Sequence, residues 1–121
     1  MLLWNNINHA YCQSAMDYKD GSSLKDGSVT SRSWKEHRLM TYQESHDEER
    51  TMYKAKTWGI PPVKNDEATR LRRAALNAAF LLCTPGPKMI WQFGELGYDY
   101  SIKENNRTMK STTTFIPGIK S

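Results

Sequence analysis

Apolar residues recur along the chain with two different periods, and they divide it into strands and helices. Met1 to Trp4 form a brief apolar run that suits a buried strand. Ile7, Tyr11, Ala15 and Tyr18 then follow at helical spacing, and the Asn5-Asn6 pair offers a start for that helix. Lys19 to Ser33 is rich in Gly, Ser, Asp and Lys, with turn signals at Asp20-Gly21 and Asp26-Gly27, so a long surface loop is expected. Arg38 to Gln43 reads as a short strand, and Pro61-Pro62 breaks whatever helix follows it.

The strongest element lies further on. Ala68, Leu71, Ala75, Ala78, Ala79 and Leu82 share one helical stripe, whereas Arg70, Arg73 and Asn77 fall elsewhere. Asn65 or Asp66 supplies an N-cap, and Thr84-Pro85-Gly86-Pro87 supplies the stop. The spacing predicts a helix of about five turns, buried on the Leu71–Leu82 side. Lys88 to Phe93 is an almost continuously apolar strand, as in a parallel sheet covered on both faces, and Gly94 ends it. Strand–helix–strand in succession predicts the α/β class. The text after Lys103 is polar and irregular.

Bulk composition narrows the function. The mean hydropathy of −0.74 and a ten-residue apolar maximum, Ala74 to Cys83, exclude a membrane span. Aromatic content of 11% argues against a disordered chain. The formal charge is +4, but the basic residues are scattered among acids. Even Arg70, Arg72 and Arg73 sit beside Asp66 and Glu67, so a solvated face is expected and no nucleic-acid partner. Cys12 and Cys83 show no metal or redox spacing and read as a pair of buried or half-buried free thiols. The opening residues lack a basic leader pattern.

Candidate chemistry gathers where the Arg38–Gln43 strand ends. His46 and Asp47 offer an imidazole and a carboxylate suited to gripping sugar hydroxyls or steadying positive charge. A structural reading stands beside it: Asp47 caps a helix, with Glu48 and Glu49 in its first turn. Ser45-His46-Asp47 does not read as a hydrolase triad, because neighbours on a strand face opposite ways. His9 and His37 lack zinc-ligand spacing, and Gly94-Glu95-Leu96-Gly97 has too few glycines to cradle phosphate.

Tyr42-Gln43-Glu44-Ser45-His46-Asp47-Glu48-Glu49-Arg50 resembles the strand-seven motif of the α-amylase family of glycoside hydrolases. Pro85 to Glu95 is similar to that family's entry into strand eight, Glu67 to Leu82 to its seventh barrel helix, and Leu3 to His9 to its strand-six region. Together these span roughly residues 1–108, with 109–121 as an irregular tail. The resemblance implies strands six to eight of a partial TIM-type barrel, about half the length of a full barrel of roughly 250 residues. It implies that Asp47 is the transition-state-stabilising carboxylate and that His46 binds the same sugar of an α-1,4-glucan or oligosaccharide. Trp91, Phe93 and Tyr98 would either stack on glucose rings or pack within the barrel. Ser45, where many members have Asn, resembles glucan-branching enzymes; a non-catalytic carbohydrate-binding α/β module is a further alternative.

The nucleophile and general acid of a retaining glycosidase come from strands four and five of the family's barrel, so the chain is expected to be inactive alone. No cofactor or metal is expected in this chain, because the calcium ligands of the family come largely from segments outside it. The missing barrel portion, or another copy of the chain, is the expected protein partner. On this reading the parent's N-terminus lies upstream, which leaves localisation unknown.

Overall fold

The computed structural model describes the backbone of residues 1–105 and the side chains of residues 1–103. The expected tail at 109–121 lies outside the described residues. The elements run β1 (Leu3–Asn6), α1 (Asn8–Met16), β2 (Leu39–Tyr42), α2 (Thr51–Trp58), α3 (Pro61–Asn65), α4 (Glu67–Cys83), β3 (Lys88–Met89) and α5 (Ile102–Asn105). The three strands form one parallel sheet in chain order, with Leu3 opposite Leu39, Asn6 opposite Tyr42, and Tyr42 opposite Met89. Parallel neighbours require crossovers, supplied by α1 between β1 and β2 and by α2–α4 between β2 and β3. The chain is therefore α/β.

The first strand is displaced from the Met1–Trp4 run. β1 begins at Leu3, and Leu2, Leu3 and Trp4 are exposed while Asn5 is buried. Hydrogen bonding explains the inversion. Asn5 donates from Nδ2 to the Asp26 carbonyl at 2.6 Å, and its Oδ1 accepts from Arg32 at 2.8 Å. Its register partner Thr41 donates to the Gly27 carbonyl at 2.8 Å. These bonds fold the expected surface loop back onto the sheet, where it forms short 3₁₀ turns at Lys25–Gly27 and Val29–Arg32 and buries Val29. A β-carbon at Gly27 would sit 3.1 Å from the Ile7 side chain and 3.3 Å from that of Thr41, so a larger residue there would have to push both methyl ends aside by a few tenths of an ångström.

The core lies where α1, α2, α3 and α4 meet. Ala15, Met52, Ala55 and Val63 form one buried cluster, and Ile7, Tyr11 and Leu81 form a second. Burial of a side chain such as Leu81 contributes about 1.5–3 kcal/mol. Tyr18, expected on the α1 stripe, lies past the helix and donates to the Trp58 carbonyl at 2.8 Å. As expected, the preceding helix is broken ahead of the prolines, α2 ending at Trp58, and Pro61 and Pro62 then open α3, whose first turn needs no N–H from them.

Helix α4 has the expected length and cap, with Asp66 accepting from the Thr69 N–H at 2.9 Å. That bond and the Thr69 hydroxyl hold the Asp66 carboxyl below its ordinary value. Its buried side, however, is not the Leu71–Leu82 stripe. Leu71, Ala75, Ala79 and Leu82 are exposed, and the side that packs inward carries Ala74, Asn77 and Leu81. Asn77 is 0% exposed; it donates to the Tyr11 carbonyl at 3.0 Å and accepts from Ser14 Oγ at 2.7 Å. Arg73, expected on a solvated face, bonds the Ser14 carbonyl and Asp17. Polar groups of α1, the Tyr11 and Ser14 carbonyls and the Ser14 hydroxyl, thus meet this side of α4 through Asn77 and Arg73.

The last strand is also shorter than its apolar run. β3 ends at Met89, and Ile90 and Phe93 are exposed, so the sheet is not covered on both faces there. Phe93 takes a left-handed φ of 67° and leads into a 3₁₀ turn at Gly94–Leu96.

Candidate functional site at the C-terminal edge of the sheet

All three strands point their C-terminal ends toward one rim, the edge where parallel sheets bind ligands. Asn6 closes β1, Gln43–Arg50 follows β2, and Ile90–Gly94 follows β3. The two sequence-assigned residues, His46 and Asp47, stand at the crest of the middle loop with side chains 64% and 76% exposed. His46 Nε2 lies 3.3 Å from Asp47 Oδ2.

Asp47 does not cap a helix. α2 begins four residues later, at Thr51, and its first N–H is bonded by Glu44 Oε1 at 2.8 Å. Glu48 and Glu49 lie outside that helix as well. Alternation along a strand is not what separates Ser45 from His46, since both lie past the end of β2, Ser45 in irregular backbone and His46 at the start of a bend. The Ser45 hydroxyl is instead bonded to Glu48, and it accepts from the Asp47 N–H at 3.2 Å, so no serine relay is assembled.

The acids of this loop divide by what they do. Glu44 is 4% exposed, takes the Thr51 N–H and, at 2.6 Å, the Thr51 hydroxyl, and faces Arg50 Nη1 at 3.5 Å. Glu48 bonds Asn6 and Ser45. Glu49 accepts from its neighbour's N–H at Arg50, from Ser101 Oγ at 2.7 Å and from the Ile102 N–H at 3.0 Å. Asn8, buried at the start of α1, donates to the Gln43 and Glu49 carbonyls at 2.7 and 3.2 Å. The loop is pinned on both sides, and Asp47 is displayed between the pins.

Arg50 was not singled out by any spacing in the sequence. It is 3% exposed, donates to the Gln92 carbonyl at 3.0 Å, and lies 4.7 Å from the Tyr98 ring centre. Its presence on a loop so rich in acid was the signal available. Tyr98 also packs on Phe93 and Tyr100, at 5.9 and 5.3 Å between centroids, which is a packing role. Trp91 is different. Its ring lies 5.9 Å from that of His46, tilted by 47°, on the rim itself.

Behind the rim, a cavity of about 200 Å³ opens between α4 and residues 89–97. Leu71, Leu82, Ile90 and Leu96 line it, with Glu44 and Glu95 as acids at its wall. Neither His46 nor Asp47 lines it. Among the described residues no group of three metal-ligating side chains comes together. The cysteines are far apart in character: Cys12 is buried and Cys83 exposed, both as free thiols.

Chemically, the rim offers an exposed carboxylate as a hydrogen-bond acceptor, an imidazole beside it and an indole face. Those are the groups that grip vicinal hydroxyls and cover an apolar ring. No family model matches the chain, and no curated protein matches it in sequence.

Proposed function

We propose that this chain is part of an α-amylase-like catalytic barrel, strands six to eight with their helices, acting on α-1,4-glucans in the company of the remaining strands. In this reading Asp47 holds the hydroxyls of the reacting sugar and steadies its oxocarbenium-like transition state, and His46 bonds the same ring. The observation that carries it is the placement of His46 and Asp47. They stand exposed beyond the C-terminal end of the middle strand of a parallel sheet whose strands follow chain order.

Two further observations support it. Among the described residues both outer strands have an open edge, and apolar side chains are exposed near each: Leu2, Leu3 and Trp4 at the start of β1, Ile90 and Phe93 beyond β3. A sheet that continues in both directions accounts for such edges. The loop's other carboxylates are engaged in holding its shape, which leaves Asp47 as its acid for a ligand.

Retaining hydrolysis needs two carboxylates about 5–5.5 Å apart across the bond. Glu44 and Glu49 are bonded internally and unsuited to that work, so the proposal assigns this chain no hydrolysis by itself. Ser45 ahead of the His-Asp pair favours a branching parent, which transfers the glucan chain instead, as the second reading. Titration of the full chain with maltoheptaose, followed by NMR, is expected to shift His46 and Trp91 resonances, with the response lost in Asp47→Asn. No response at millimolar sugar overturns the carbohydrate reading. Release of reducing ends from soluble starch, abolished by Asp47→Asn, overturns the assignment of inactivity.

A further inference from the structure

The buried ion pair beneath the rim is not explained by the groups that would touch a sugar. Glu44 and Arg50 flank the displayed turn, one at each end, and both are almost completely enclosed. Burial of an ion pair is costly, and replacement by apolar residues is often neutral or stabilising, so the pair needs a reason other than stability. Its contacts supply one. Glu44 is anchored to the first residue of α2 through the Thr51 N–H and hydroxyl. Arg50 reaches across to the Gln92 carbonyl, one residue beyond Trp91. Gly94 leaves room for this arrangement, since a β-carbon there would lie 3.2 Å from Glu44 Oε2. The pair therefore joins the end of β2, the start of α2 and the segment after β3.

We infer that the Glu44–Arg50 pair is a positioning device that fixes the His46–Asp47 turn against the Trp91 indole, setting the width of the sugar-binding rim. The role in sugar binding rests on the carbohydrate reading above; the geometric role does not. A hexose held between a carboxylate and an indole tolerates little change in their separation, because a binding group is useful only within about 0.5 Å of its productive place. Loss of the pair's charge frees the Gln92 segment to drift while the helices, held by the Ala15–Val63 cluster, stay folded.

The test reads geometry and ligand separately in the 121-residue chain. The Trp91 ring current shifts the His46 ring protons, and Trp91→Leu gives the reference without it. Glu44→Gln keeps an oxygen for Thr51 but loses the charge; Arg50→Lys keeps the charge but loses the fork. Each is expected to remove at least half of the Trp91-dependent shift and to weaken maltoheptaose binding about tenfold. Val63→Ala, a core change remote from the rim, is expected to lower the melting temperature and leave both readouts in place.

Unmoved His46 shifts in folded Glu44→Gln and Arg50→Lys overturn the proposal, as does a wild-type His46 that never senses Trp91. If those variants do not fold, Thr51→Val decides: it removes one donor to Glu44 and is expected to give a smaller change in the same direction, and no change overturns the pair's role. A wild-type chain deaf to maltoheptaose, with a ring shift that still collapses in the variants, removes the sugar reading and retains the positioning device.

Discussion

The two sides of α4 make opposite use of the same kind of residue. On one side Leu81 is enclosed with Ile7 and Tyr11, and Asn77 is buried among bonds to α1. On the other, Leu71 and Leu82 face outward and into the cavity behind the rim. The outward stripe has the stronger apolar periodicity, yet the side carrying a buried amide is the one that packed. Hydrophobicity favours burial but does not supply the surface to be buried against. Within this chain α1 supplies it, and α1 offers the Tyr11 and Ser14 carbonyls and the Ser14 hydroxyl, which Asn77 and Arg73 meet.

Paired substitutions break that comparison most sharply. Leu81→Ala is expected to cost about 2–5 kcal/mol in denaturant unfolding, the usual range for emptying an enclosed leucine site. Leu82→Ala, its exposed neighbour, is expected to stay within about 0.5 kcal/mol. An equal loss at both positions means that the outer face is covered in solution, and sedimentation would then show the covering copy.

Asn77→Ala sharpens the same contrast from its polar side. It leaves the Tyr11 carbonyl and Ser14 hydroxyl without the amide, a loss of about 1–3 kcal/mol by thermal or denaturant unfolding. Gln at an exposed position such as Leu76 is expected to change nothing measurable. A neutral Asn77→Ala would mean that the amide does not select the face.

The cysteines divide along the same line with the smallest effect. Exposed Cys83 is expected to react promptly with a thiol reagent, and buried Cys12 only as the chain opens. Burial pushes the Cys12 thiol from 9.0 up to about 12. The folded state therefore keeps a proton that the unfolded state releases. Stability from this group is complete below pH 9 and is lost as pH rises from 9 toward 12. Cys12→Ala is expected to flatten that alkaline slope in urea midpoints, and an unchanged slope would assign it to other groups such as Tyr11, which burial also raises to about 12.

Much of the backbone was legible in advance. β2, the full span of α4 with its Asp66 cap and proline stop, and the parallel order of the strands all followed from periodicity and turn chemistry. The rim position of His46 and Asp47 followed from where β2 ends. What failed were inferences about burial. The Leu-rich stripe of α4, the apolar start of β1 and the run through Phe93 were all expected inside, and all are partly outside. The cap of α2 was misplaced because Glu44 reaches it from seven residues back, beyond any local capping pattern.

The sequence alone determined much of the local conformation, because it depends on neighbours within a few residues: helix spacing, the Asp66 cap and proline stop of α4, and the strand–helix alternation that makes the sheet parallel. Tertiary structure alone decided which face of each element is covered, and that Glu44 and Arg50 meet beneath the His46–Asp47 turn. Those outcomes depend on carbonyls, donors and space contributed by residues distant in the chain, and a buried polar group takes its place only once its partners are folded around it.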